Sequence, residues 1–204
     1  MTDYRAQTDR IREKLVLARQ ADPEFREFGA SDHRYLIGPP LEDEEVTAFE
    51  RAFGVTLPGC YRAFLTQVGN GSPVANHVLV DPEGFYPLTE EEIATYERNH
   101  GVRVGPAERA YLARVRSGIP IDGGRAAGPG YGLFPLGQEA YGDLLDVGEQ
   151  ADCGATAIFV RGAHSGRVVR MDDHRIKEPY FYRAANFLDW YEGWLDEVLS
   201  GSSS

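Results

Sequence analysis

The chain has 204 residues, of which 42% are hydrophobic and 11% aromatic, a composition that excludes a disordered chain and suffices for one packed domain. Acidic residues outnumber basic ones 32 to 21, and the net charge of −11 repels nucleic-acid phosphate while favouring basic partners, although solubility alone also accounts for it. No apolar run approaches the ~20 residues of a membrane span.

The charged start, MTDYRAQTDRIREKL, lacks an apolar signal core, so the expected location is cytoplasmic and Cys60 and Cys153 are expected as reduced thiols. Residues 3–20 have helical periodicity, with Ile11, Leu15 and Ala18 on one face, and Asp22-Pro23 breaks it. Tyr35-Leu36-Ile37 is a candidate short strand before the stiff connector Gly38-Pro39-Pro40.

Leu41 to Gly71 reads as two amphipathic helices joined at a tight Leu57-Pro58 corner. The first begins around Glu42, carries the apolar stripe Val46, Phe49 and Phe53, and stops at Gly54. Glu42, Asp43, Glu44 and Glu45 crowd its first turn, where negative charge suits the helix dipole. Pro58 fits the first turn of the second helix, a position that needs no N–H. Tyr61, Phe64, Leu65 and Val68 form its buried face, and Gly69 is expected to end it as a left-handed cap before the Asn70-Gly71 turn.

Beyond that turn, His77 to Val80 is a strand candidate. Thr89-Glu90-Glu91-Glu92 is a capping box opening a helix to about Asn99, and Ala107 to Arg116 is a second helical stretch. Residues 118–130 form a loop rich in glycine and proline, and Tyr131 to Leu136 is short and apolar. Thr156–Val160 and Arg167–Met171 flank Arg161–Gly166 and read as a hairpin. A closing helix runs from about Asn186, an N-cap residue type, to Leu199, with Phe187, Trp190, Tyr191, Trp194, Leu195 and Val198 on one face. The tail, 200–204, is expected to be disordered.

Residues capable of chemistry are few. Asp172-Asp173-His174, with His164 across the hairpin, is poor geometry for a metal because consecutive side chains diverge. Cys60, on a helix face beside Tyr61 and Phe64, reads as a small buried hydrophobe and not a nucleophile. Gly128-Pro129-Gly130 is followed by no phosphate-loop lysine. No catalytic residue, metal or cofactor is expected.

Phe53-Gly54-Val55-Thr56-Leu57-Pro58, Tyr61, Phe64-Leu65 and Gly69-Asn70-Gly71 resemble the signature of the SUKH superfamily, the Smi/Knr-type proteins of yeast and their bacterial relatives. Gly128–Leu136 resembles the segment that closely follows the Asn-Gly turn in actinobacterial members, and Asn186–Leu195 resembles the closing helix. Two features depart from the pattern. Cys60 stands where relatives are often acidic or polar, and some fifty-five residues separate Gly71 from Gly128 where a short link is usual. Residues 72–127 are therefore read as an insertion within a single domain, 1–204.

The resemblance implies an α+β fold, a curved, largely antiparallel sheet flanked by helices. It also implies a non-enzymatic protein-binding module. In bacteria many such proteins are immunity proteins that bind and block a cognate toxin, often a nuclease; others are regulatory or scaffolding modules with an endogenous partner, and an enzyme is the least supported alternative. Gly54, Leu57, Pro58, Tyr61, Phe64, Leu65, Gly69, Asn70, Gly71, Trp190 and Trp194 are the fold motif. Glu42, Asp43, Glu44, Glu45 and, on the insertion, Glu90, Glu91 and Glu92 are the candidate partner-binding residues. A carboxylate surface can occupy a nuclease's basic face as a phosphate mimic, and the alternative for each residue is a solvated helix start. Neither nucleic acid nor membrane is expected as a partner, and the sequence carries no signal for oligomeric state.

Overall fold

The computed structural model describes residues 2–72, 128–130, 132–134, 136, 140–141, 144–150, 154–172 and 180–201. Helix α1 (Arg5–Ala21) buries Ile11, Leu15 and Ala18, the face expected from their spacing, and closes at Asp22. The Asp22 carboxylate then accepts the N–H groups of Arg26 and Glu27 (2.8 and 3.0 Å) and the Tyr35 hydroxyl (2.8 Å), folding the chain back through the single turn α2 (Ala30–His33). The expected strand over Tyr35–Ile37 is absent. Arg34 and Tyr35 both have left-handed φ values, 51° and 55°, which a strand cannot use, and the Tyr35 N–H donates to Nδ1 of His33 (3.0 Å).

Helix α3 (Asp43–Phe53) starts at Glu42, whose N–H donates to the Glu45 carboxylate (2.8 Å), and stops at Gly54 with φ 61°. Val46 and Phe49 are buried. Phe53, on the last turn, stays 38% exposed and leans on Phe49, so the apolar stripe is shorter than its periodicity suggests.

Helix α4 (Gly59–Gln67) has Pro58 at its N-cap, one residue earlier than expected, with the Pro58 carbonyl accepting the Tyr61 and Arg62 N–H groups (both 2.9 Å). Gly69 is not a left-handed cap. The helix ends through Val68 at φ −103°, and Gly69 has φ 158°. Glycine is needed there for space, since a Cβ would lie 2.2 Å from both the Gly38 oxygen and Ile37 Cγ2.

Among the described residues six antiparallel strands make one open sheet: β1 (Gly132–Leu133), β2 (Ala140–Tyr141), β3 (Leu144–Gln150), β4 (Gly154–Phe159), β5 (Val168–Asp172) and β6 (Tyr180–Phe181). Their order is β1-β3-β4-β5-β6, and β2 also pairs with β3. The β4–β5 hairpin matches the expected one to within two residues. By contrast β3 has no clear alternation, because Asp146 and Gly148 interrupt it and the register shifts between them. Leu145, Ile158 and Val168 are cross-strand neighbours on the helix-covered face. Leu144, Ala155, Ala157, Phe159, Val169, Met171 and Phe181 form a second buried cluster on the other face.

Helix α5 (Phe187–Ser200) is capped by Asn186, whose Oδ1 accepts the Leu188 and Asp189 N–H groups (2.9 and 3.2 Å). It runs one residue past the expected Leu199, with Gly201 at φ 65° as its cap. Phe187 meets Tyr61 and Phe64 edge-on at 4.8 and 5.1 Å, which joins α5 to α4. Burial of large side chains such as Trp190, Phe64 and Leu195 contributes ~1.5–3 kcal/mol each. The architecture is α+β.

The expected strand at 77–80, the helices at 89–99 and 107–116, the loop at 118–127, the Asp173-His174 pair, Cys153 and the tail beyond Gly201 all lie outside the described residues.

Candidate partner surface

The acidic run at the start of α3 is exposed along its whole length, Glu42 to Glu45. Three of its four residues also serve the local structure. Glu42 and Glu45 form a capping box, and Asp43 pairs with Arg62 across to α4 (3.1 Å). The Glu44 side chain makes no hydrogen bond or ion pair among the described residues. Arg62 is the hub of this corner: it binds Glu50 at 2.6 Å and the Thr47 hydroxyl at 3.1 Å. Glu50 in turn accepts the Leu57 N–H (2.7 Å), which fixes the bend before Pro58. Beside the acidic turn a cleft of about 650 Å³ opens between the starts of α1 and α4, lined by Tyr4, Arg5, Asp43, Gly59, Arg62 and Gln67.

Leu57, Pro58, Tyr61, Phe64, Leu65, Trp190 and Trp194 are buried, and Gly69, Asn70 and Gly71 form a backbone junction. The Gly38 N–H donates to the Gly71 oxygen (2.8 Å), the Asn70 N–H to the Pro39 oxygen (3.2 Å), and the Asn70 side chain accepts the Leu136 N–H (2.6 Å). Next to it, the Ser72 N–H donates to the Leu133 oxygen (2.7 Å) and the Leu133 N–H to the Ser72 hydroxyl (3.1 Å). The chain therefore leaves this junction at Ser72 and returns to it at β1. Glu90, Glu91 and Glu92 fall between these points, outside the described residues.

Among the described residues, the groups suited to catalysis are dispersed or inert. Burial pushes the Cys60 thiol up and so favours the unreactive protonated form. His164 lies exposed against Phe159 and Phe181 (5.7 and 4.9 Å). Among the described residues no cluster of His, Cys, Asp or Glu is placed to hold a metal, and no helix is long and apolar enough to cross a membrane.

Two centres escaped the sequence reading. One is Glu192 on α5, which binds Arg10 (2.8 Å), Lys14 (2.9 Å) and Gln7 (3.1 Å) of α1. Burial opposes its ionisation, yet these three donors hold its carboxyl at about 2. The other is the cluster of His33, Tyr35 and Trp194. The acidic stripe Asp189, Glu192 and Asp196, spaced three and four apart on α5, was the available signal for the first; isolated aromatics in an irregular segment gave none for the second.

Residues 40–193 match the family model for SMI1 / KNR4 (SUKH-1), a span running from the connector before α3 into α5. The chain belongs to the SMI1 / KNR4 (SUKH-1) family. No individual curated protein matches it. Domains of this family are in general protein-interaction modules of the immunity type. Helices α1 and α2 precede the matched span, and the ion pairs of Arg10 and Lys14 to Glu192 tie α1 to it.

Proposed function

We propose that this protein is a non-enzymatic immunity protein that binds a cognate bacterial toxin in the cytoplasm and blocks its active face. The observation that carries this reading is the SUKH-1 match over residues 40–193. The exposed acidic turn Glu42–Glu45 supports it, since in a chain of net charge −11 that turn suits a basic nuclease surface. Residues 72–127 are the proposed source of partner specificity, with Glu90, Glu91 and Glu92 as contacts; the segment starts at Ser72, which is joined to Leu133 of β1. The Ser72–Leu133 closure favours this assignment, because sequence between two joined points can change without displacing the sheet.

The test is co-expression with the toxin-domain protein encoded beside this chain. Restored growth and recovery of a one-to-one complex support neutralisation. A neighbour that is not toxic, together with capture of an endogenous partner, would instead favour a regulatory or scaffolding module.

A further inference from the structure

We propose that His33 is an acid-sensitive latch on the seam between Ser72 and β1, and that protonation of its imidazole opens this seam while the rest of the sheet stays closed. His33 is only 2% exposed. Its Nδ1 accepts the Tyr35 N–H (3.0 Å), so the neutral ring carries its proton on Nε2. That Nε2 is buried and has no hydrogen-bond partner among the described residues.

The ring stands edge-on to Tyr35 and Trp194, with centroids at 5.2 and 5.4 Å, and those two rings stack on each other at 5.8 Å. The His33 Cβ lies against the seam. A Cβ on Gly132 would sit 3.3 Å from His33 Cβ and 2.8 Å from the Ser72 hydroxyl, and one on Gly128 would sit 2.2 Å from Trp194 Nε1. The histidine and its indole neighbour thus lie against the returning chain at Gly132 and Gly128, and Gly132 in turn packs on Ser72, where the chain leaves. The backbone that presents the ring is strained at the consecutive left-handed residues Arg34 and Tyr35.

The charged and titratable groups around His33 are few. Asp32 comes from α2 itself, Asp22 from the preceding turn through its bond to Tyr35, Glu27 lies near the Tyr35 hydroxyl, and the groups met from α5 and the seam, Trp194, Ser72 and Gly132, are neutral. Neither aspartate accepts a hydrogen bond from Nε2. An imidazolium would set its Nδ1–H against the Tyr35 N–H, donor to donor, and would bury a charge without hydration.

Burial holds the closed-state pKa at about 4, although Asp32 and Asp22 oppose this. An opened seam returns the ring to the ordinary ~6.5. Between these values the open form binds a proton that the closed form does not, so opening grows as pH falls, by about 30-fold from pH 7.5 to pH 5.

The experiment is native-state hydrogen exchange on the full chain at pH 7.5 and 5.0, with each amide rate divided by its intrinsic rate at that pH. The Ser72 and Leu133 amides are expected to lose about 30-fold protection while Ala157 and Val169, central in the sheet, keep theirs. In His33→Gln the pH dependence at Ser72 and Leu133 disappears. If that variant does not fold, the wild-type His33 ring is titrated by NMR. A ring that stays neutral at pH 5 in the closed form supports the latch, and one that titrates near 6.5 with the seam still protected overturns it. Unchanged protection at Ser72 and Leu133, or equal loss at Ala157 and Val169, also overturns it.

Discussion

The Asn70 side chain accepts the backbone N–H of Leu136 at 2.6 Å, a bond between residues 66 positions apart. It makes the Asn-Gly turn a structural junction and leaves that side chain committed to the core. Asn70→Ala removes the acceptor and leaves a partly buried N–H unmet, at a cost of about 1–2 kcal/mol. Asn70→Asp keeps an acceptor and costs less. Urea unfolding that shows a lower midpoint at constant slope, in that order of severity, checks this.

Two glycines of the motif are required for different reasons, and their alanine variants should separate. At Gly69 a Cβ collides with the Gly38 carbonyl oxygen at 2.2 Å, so Gly69→Ala costs about 3 kcal/mol or more. At Gly54 the φ of 61° opposes a side chain but the surrounding space is open, so Gly54→Ala costs about 1 kcal/mol. Thermal melts that reverse this order would contradict the packing described around Gly38.

Glu192 joins α1 to α5 through Arg10, Lys14 and Gln7. Its carboxyl lies at about 2 in the fold against an ordinary 4.5, so its contribution to stability is complete above pH 4.5 and is lost as pH falls from there towards 2. Glu192→Gln removes that titration. The variant is expected to be less stable at pH 7 and to show a shallower decline in stability between pH 4.5 and 2 than the wild type.

Much of this fold was legible because periodicity and turn chemistry agreed. Helices α1, α3, α4 and α5 follow from Ile11/Leu15/Ala18, Val46/Phe49, Tyr61/Phe64/Leu65 and Trp190/Trp194, each spaced to make one buried stripe. The β4–β5 hairpin shows in its β-branched runs. What stayed hidden depended on distant partners. Tyr35–Ile37 has strand-forming residues, but the Asp22 carboxylate and His33 Nδ1 claim the hydrogen bonds there and turn the chain instead. β3 hides because a bulge and a buried Asp146 break its alternation. In the acidic run, local sequence showed the charge but not that Asp43 and Glu45 are already engaged by Arg62 and the Glu42 N–H.

That engagement makes Glu44 the cleanest probe of the proposed interface. Glu44→Lys breaks no side-chain hydrogen bond or ion pair but reverses the charge at the start of α3, and is expected to cost about 0.5–1 kcal/mol. Against a basic toxin face it should lower the association rate several-fold, with the loss shrinking as salt is raised. Stopped-flow association at two ionic strengths reads both effects.

Calorimetric titration of the purified product of the neighbouring gene into the full-length protein tests neutralisation most directly. A one-to-one complex is expected, with a nanomolar Kd that weakens as salt is raised and toxin activity abolished at equivalence. Absence of binding, or a complex in which the toxin remains fully active, would contradict it.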